Sequence, residues 1–365
     1  MVKKVLIYST AYFPMVGGAE VAIKEITDRL PDFNFILVTA RLSRAYSKKE
    51  KIGNVAVYRL GWGTCFDKLW LAFYGGHFGL KLAKDESFCL VWGVMASFAG
   101  LAALRFKELS PRSKFLLTLQ EGDDLEEVER KMRVLRWRFK KIFTLADQVQ
   151  VISRYLREWA QSFGTEEKNI TIIPNGVDLD KFNFRGQTKN KTIVTTSRLV
   201  KKNGVDTLIR SLTFLPDDYR LKILGVGPDE KKLKNLVREL GLSERVDFVG
   251  FVSSENIKDY FAQAEVFARP ALSEGLGNSF LEAMAFGLPV LGTPVGGIVD
   301  FLKEGETGWL IPPNDPQTLA EKIKFITKEE NGAQVEEVTR KARSLVEEKY
   351  DWVKIAREMG HLFYK

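Results

Sequence analysis

Residues 270–300 read PALSEGLGNSFLEAMAFGLPVLGTPVGGIVD and set two carboxylates, Glu274 and Glu282, around a glycine-bearing helix start near Gly277. A helix that begins there offers unpaired backbone N–H groups and the positive end of its dipole to an anion. Glu274 lies just before that start and Glu282 within the helix, so the acids can meet hydroxyl groups but are ill suited to phosphate itself. The segment reads as a phosphosugar site. Taken alone, it also reads as an amphipathic helix, LEAMAF, closed by a Gly-Leu-Pro turn, and the rest of the chain has to decide.

Outward from this segment the chain alternates short β-branched runs with helical patterns. The first half gives KVLIYST, a helix over 19–30, NFILVTA, VAVYRL, CLVW, a helix over 98–109, KFLLTL, QVQVIS, a helix over 154–163 and ITIIPNG. A polar stretch, DLDKFNFRGQTKNK, reads as a linker. The second half restarts with TIVTTS, a helix over 206–213, LKILGVG, a helix over 229–240, VDFVG, a helix over 255–264 and VFARP. This predicts the α/β class, with two doubly wound Rossmann-like domains built on parallel sheets. A chain of 365 residues also exceeds what one hydrophobic core usually serves. Ligands of such sheets gather at the carboxyl ends of the strands. Those ends carry Gly17-Gly18, Arg198, Gly225-Val226-Gly227, Gly250 and Glu274, so the active site is expected in the cleft between the domains.

The order EGLGNSFLEAMAFGLPV followed by GTPVGG resembles the retaining family-4 glycosyltransferases (glycosyl transferases group 1), which have the GT-B fold and a Glu-x7-Glu motif in their nucleotide-sugar site. Similar strings run through the chain: YFPMVGGAE, ADQVQVISRYL, IIPNGVDLDKF, SRLVKKNGVDTLI, VDFVGFVSSENIKDYFAQAEVFARP and ETGWLIPPNDPQTLA. The resemblance implies an acceptor-side domain over 1–181, a nucleotide-sugar domain over 182–345, and a helix over 346–365 that returns to the first domain. It implies retaining, metal-independent transfer of a sugar from a nucleotide-diphosphate sugar to a glycan, lipid or small-molecule acceptor, with no cofactor.

Such a transfer breaks the bond between the anomeric carbon and a diphosphate, so negative charge on the leaving oxygen must be stabilised. By resemblance, Arg198 and Lys202 bind the diphosphate, Gly17 and Gly18 face the donor phosphates and the acceptor, and Glu282 accepts from the ribose hydroxyls. Glu274 faces the transferred sugar, with the N–H groups of Leu276, Gly277 and Asn278 nearby; it could orient the sugar, stabilise positive charge or act as a nucleophile. Gly227, Phe251, Val252 and Gly275 complete the expected donor side. The chain departs from the commonest family form in three places. Lys201-Lys202-Asn203-Gly204 sets its lysine one position early. Gln120-Glu121-Gly122-Asp123 stands where many relatives have a histidine, so Gln120 is expected to bond the sugar and Glu121 or Asp123 to steady the acceptor. Asn278 and Ser279 replace an aliphatic pair and are expected to tune donor choice.

Other signals narrow the class. Asp178-Leu179-Asp180 has the Asp-x-Asp form of metal-dependent transferases, but it belongs to the interdomain segment. Gly225-x-Gly227 lacks a third glycine, because residue 230 is Glu, so no nicotinamide fingerprint is met. Cys65, Cys89, His77 and His361 suggest neither a disulfide framework nor a metal site. No apolar run is long enough to span a bilayer, and a cytoplasmic location is expected, with possible peripheral attachment at the inner membrane face.

Residues 1–185 hold 29 Lys and Arg against 21 Asp and Glu, whereas residues 186–365 hold 26 of each. The excess positive charge therefore belongs to the first half. Its clusters, RKMRVLRWRFKK over 130–141 and RLSRAYSKKEK over 41–51, suit an anionic membrane surface. For 130–141 the plainer reading is a solvated helix with its apolar side in the core. No nucleic-acid-binding motif accompanies the charge. Rival readings are a GT-B sugar-nucleotide epimerase and a non-catalytic membrane or partner-binding protein that keeps the fold.

Overall fold

The apolar runs of the first half become strands β1 (Lys3–Tyr8), β2 (Phe33–Ala40), β4 (Val55–Leu60), β5 (Leu90–Val94), β6 (Phe115–Leu119), β7 (Gln148–Val151) and β8 (Ile170–Ile172). The structure is a computed structural model that describes residues 3–85, 87–131, 136–182 and 190–364. Among these residues the sheet order is β3-β4-β2-β1-β5-β6-β7-β8. Every pairing is parallel except that of β3 (Lys49–Ile52), which lies antiparallel to β4 at the edge. The sequence expectation of a wholly parallel sheet is corrected there. KEKI has no apolar run, and its lysines and glutamate suit an edge that must not pair further. By contrast β5, LVWGV, is buried along its whole length, as a central parallel strand covered on both faces must be.

The first unit comprises Met1–Asn175 and Trp352–Lys365. Its helices are α1 (Gly18–Asp28), α2 (Asp67–Asp85), α3 (Phe98–Leu109), α4 (Leu125–Lys131), α5 (Arg136–Thr144), α6 (Arg154–Ser162) and the final α13 (Trp352–Tyr364). Helix α2 is absent from the sequence reading, because Gly75, Gly76 and Gly79 look like helix breakers. The packing explains them. A Cβ on Gly79 would lie 2.0 Å from the Tyr8 hydroxyl, and one on Gly76 2.7 Å from the Phe106 backbone nitrogen. Glycine lets α2 lie directly on α3 and β1, and the Tyr8 hydroxyl donates to the Gly75 carbonyl at 3.0 Å. Asp67, the first residue of the helix, ties the preceding loop to it by accepting from the Gly63 and Thr64 N–H groups at 2.6 and 3.1 Å. Helix α13 closes the core: Trp352, Ile355, Met359, Leu362 and Phe363 are buried with Phe33, Phe35 and Trp92.

The second unit, Gly176–Asp351, is a parallel sheet in the order β11-β10-β9-β12-β13-β14 among the described residues. Its strands are β9 (Thr192–Thr196), β10 (Arg220–Leu224), β11 (Val246–Gly250), β12 (Val266–Arg269), β13 (Val290–Gly292) and β14 (Trp309–Leu310). Helices α7 (Val205–Ser211), α8 (Glu230–Glu239), α9 (Ile257–Phe261), α10 (Asn278–Phe286), α11 (Pro316–Thr327) and α12 (Gly332–Lys349) complete it. Leu208, Ile209, Leu221, Ile223, Leu319 and Ile323 form the centre of its core. The unit begins at residue 176 and ends at 351, whereas the sequence reading sets its limits at 182 and 345. The Val177 N–H donates to the Tyr350 carbonyl at 2.6 Å, which fixes both ends of the unit against each other.

Each sheet reverses its strand order beside its first strand. In the first unit β1 lies between β2 and β5, and in the second β9 lies between β10 and β12. Loops from neighbouring strands diverge at such points, leaving a crevice at the carboxyl ends where a ligand fits.

Candidate functional site

At the switch point of the second unit, β12 ends in Arg269, a charged residue that is only 8% exposed. A buried guanidinium needs partners, and it has three. Arg269 forms an ion pair with Glu274 and donates to Asn203 Oδ1 at 2.9 Å and Ser279 Oγ at 3.0 Å. Asn203 Nδ2 in turn donates to the Arg198 carbonyl at 2.6 Å. One side chain thus ties the loop after β9 to the loop after β12 and to the start of α10. This accounts for the early lysine: the position before Gly204 is taken by a buried Asn203, where a second cation would oppose Arg269. Arg198 is exposed and Lys202 half-buried on the same loop.

Glu274 is held by its backbone as well. Its carbonyl accepts from the Gly297 N–H at 3.1 Å, and Gly296 has φ +53°, with room for no Cβ because one would lie 1.8 Å from that carbonyl oxygen. Glu274 Oε1 also accepts from the Gly275 N–H at 3.1 Å. The carboxylate is therefore fixed in place beside the helix start, which falls at Asn278 directly after Gly277. The loop carrying Gly227 is joined to the Arg198 segment through the Leu199 N–H and Val226 carbonyl at 3.0 Å, and the next strand presents Phe251, exposed, and Val252, half-buried.

Glu282 lies in α10. The residue keeps some solvent exposure, yet its carboxyl is enclosed enough that burial pushes it up to about 7, opposed in part by the positive charges of Lys181 and Arg269. If ribose hydroxyls donate to this group, the ligand favours its ionised form. Nucleoside diphosphate affinity is then expected to weaken as pH falls from about 8 to about 6, by up to about tenfold per pH unit below the carboxyl's own value. Calorimetric titration of wild type against Glu282→Gln checks this, since proton uptake by the ligand's phosphate is common to both. An identical pH dependence in the two proteins removes Glu282 from the binding role.

In the first unit, Gly17 and Gly18 open α1 after β1. The carboxyl ends of β5 and β6 bring Ser97, Gln120 and Glu121 to the same end of the sheet, and the Thr10 and Ser97 hydroxyls lie 3.1 Å apart. Gln120 accepts from Asn175 Nδ2 at 3.1 Å. Glu121 departs from the expected acceptor-side role. It is 3% exposed, and its two oxygens accept from the Ala96 N–H at 2.5 Å and the Gln120 N–H at 2.9 Å. Burial raises its carboxyl to about 7, although those N–H groups pull the other way. It braces the turns after β5 and β6, while the half-buried Gln120 and the exposed Asp123 of the same loop are the more accessible polar side chains. Asp178 is likewise occupied: its side chain accepts from the Asp180 and Lys181 N–H groups at 3.2 and 3.3 Å, as a turn former does.

Two family models match the chain in succession. Glycosyltransferase Family 4 covers residues 16–181, and Glycosyl transferases group 1 covers residues 177–345. The chain belongs to the group 1/family-4 glycosyltransferases. Among curated relatives, this glycosyltransferase is 28% identical over 276 residues to the putative colanic acid biosynthesis glycosyltransferase WcaL of Escherichia coli K12, covering 72% of this chain and 68% of that protein. Among solved structures it is similar to sucrose-phosphate synthase of Thermosynechococcus elongatus, with TM-score 0.85, 21% identity and coverage of 99% and 98%. It is also similar to Anabaena HepE in complex with UDP and glucose, with TM-score 0.81, 19% identity and full coverage of both chains. These likenesses show the GT-B fold.

Sequence reasoning missed Arg269 and Asn203 in this glycosyltransferase. The available signal was an arginine between Ala268 and Pro270 at the end of an otherwise apolar strand, five residues before an acid. The basic clusters divide. In 130–141, residues 130 and 131 end α4 and residues 136–141 lie in α5, where Arg138 pairs with Glu108 at 2.9 Å while Phe139 is buried, so α5 has a solvated face and an apolar inner face; residues 132–135 lie outside the described residues. In 41–51, Arg41 donates to the Arg44 and Tyr46 carbonyls at 2.8 Å and shapes its own loop. No described helix is long and apolar enough to cross a membrane.

Proposed function

We propose that the enzyme is a retaining, metal-independent glycosyltransferase that moves a sugar from a nucleotide-diphosphate sugar to a hydroxyl of a glycan, lipid or small molecule. The observation that carries this reading is the ion pair of Arg269 with Glu274, fixed beside the Arg198 loop and the start of α10. In this reading the diphosphate lies against Arg198, Lys202 and the first N–H groups of α10, and Glu274 meets the transferred sugar. Glu282 takes the ribose hydroxyls. As the anomeric carbon–oxygen bond breaks, the leaving phosphate oxygen gains charge that the cations and N–H dipoles stabilise without rearranging. The acceptor oxygen bonds to the same face of the anomeric carbon, and its proton passes to that phosphate oxygen, so no separate base is required. The UDP and UDP-glucose complexes of HepE support a uridine donor, and the part WcaL is named for in colanic acid biosynthesis supports a glycan acceptor.

The product's anomeric configuration, read by proton NMR immediately after turnover, is expected to match that of the donor. Inversion excludes the mechanism. Turnover is expected to survive exhaustive chelation of divalent metals, and loss restored by adding one metal back would sink the metal-independent reading.

A further inference from the structure

Helix α2 is amphipathic in an unusual sense, because its inner face is made of glycines and its outer face of aromatics. Leu71, Gly75, Gly76 and Gly79 are buried, while Trp62, Phe66, Leu69, Trp70, Phe73 and Tyr74 are exposed on the helix and the loop that leads into it. Phe66, Phe73 and Trp62 are 70%, 69% and 63% exposed; within the helix Leu69, Trp70, Phe73 and Tyr74 recur three to four residues apart and so share one face, with Trp62 and Phe66 in the loop before it. The rings support one another: Trp62 and Trp70 lie 5.2 Å apart, and Trp70 stacks on Tyr74 at 5.2 Å. A contiguous apolar surface of this kind marks an interaction site.

The charge around it identifies the partner. Residues 41–86 contain nine Lys and Arg against four acids, Glu50, Asp67, Asp85 and Glu86. Glu50 is paired with Arg59, and Asp67 is buried, bonded to the loop before α2. The positive charge is continuous with the aromatic stripe. Lys49 on β3 lies 5.0 Å over the Tyr58 ring, Tyr58 meets Phe78 of α2 at 5.8 Å, and the exposed Lys81 and Lys84 continue the outer face of the helix. Apolar and aromatic side chains rimmed by lysines suit the boundary between headgroups and acyl chains of an anionic bilayer. A glycan would favour flat rings with polar partners, whereas Phe66, Leu69 and Phe73 carry no polar side-chain atom.

We propose that α2 and the loop before it are the element by which this enzyme docks on an anionic lipid surface, with β3 supplying additional positive charge. The inference concerns where the enzyme works and holds whatever sugar it transfers. The test is co-sedimentation of the full chain with vesicles of phosphatidylcholine alone and of an equimolar mixture with phosphatidylglycerol, at low and high salt. Wild type is expected to sediment with the anionic vesicles and to be released as salt rises. Phe66→Ser/Phe73→Ser is expected to weaken binding on the order of 100-fold, from the loss of two buried rings. Lys81→Glu/Lys84→Glu should weaken it about 30-fold or more. Both variants change exposed side chains, so their melting temperatures and turnover of a soluble acceptor are expected to match wild type. Binding that neither variant weakens overturns the proposal, as does equal binding to phosphatidylcholine alone. A dimer that forms without vesicles and is lost in the phenylalanine variant would assign the face to a second copy instead, and retention on a soluble glycan would assign it to sugar.

Discussion

Glu274→Ala is expected to lower turnover on the order of 100-fold or more, the scale set by removing one preorganised charged group from a transition state. It is also expected to destabilise the second unit, because Arg269 would be left buried without its anion. The two side chains are only 9% and 14% exposed, and breaking a buried pair from one side costs about 3–5 kcal/mol. The two effects can be separated. Replacing both partners, as in Arg269→Met/Glu274→Met, removes the charges together and is expected to recover most of the lost melting temperature while leaving turnover as low as in the single variant. Melting curves and donor turnover of the three proteins decide the matter. Full activity in Glu274→Ala would falsify the assignment of this carboxylate to the reaction. A double variant that regains activity with its stability would show that Glu274 acts only as a structural counter-ion.

Arg198→Ala is expected to cost on the order of 100-fold in turnover as well, but with an unchanged melting temperature. Arg198 is exposed, and its tie to the neighbouring loop is made by its backbone carbonyl through Asn203, which alanine retains. The loss should therefore appear without any change in folding, and nucleoside diphosphate affinity should fall with it. Arg198→Lys is expected to restore part of the activity, because the charge returns but the forked donor geometry does not. An Arg198→Ala enzyme of normal turnover would move the diphosphate away from this loop. The pair of variants thus contrasts a buried charge that shapes the site with an exposed one that serves the ligand.

Those contrasts show what the sequence could and could not reveal. The alternating runs and the order of motifs were enough for two α/β units, since parallel strands buried on both faces leave a plain apolar trace. Strand β3 left none, because an edge of lysine and glutamate looks like loop. Helix α2 was hidden by its glycines, which are breakers by propensity and are tolerated here only because α3 and Tyr8 lie where a Cβ would be. The site divides in the same way. Glu274, Glu282 and Arg198 were visible as types in a pattern, and the structure sets Glu274 and Arg198 at the switch point of one unit with Glu282 in the helix that follows. Glu121 was visible as an acid in a polar loop, but its burial depends on the turns after β5 and β6, which no local pattern encodes. Arg269 could be read, yet its significance lies in Asn203, Glu274 and Ser279, partners drawn from three separate segments.

The place of α13 bears on how the protein is made. Phe363 lies 5.1 Å from Trp92 and 5.6 Å from Phe33, so the last helix fills the core of the unit that is synthesised first. A growing chain usually folds its earlier domain while the later one is still being translated. Here that order is broken, because Phe33, Phe35 and Trp92 wait with uncovered apolar surface until Trp352–Tyr364 has left the ribosome. The second unit, Gly176–Asp351, precedes α13 in the chain, so the N-terminal unit completes its core only after the whole of that unit has been made.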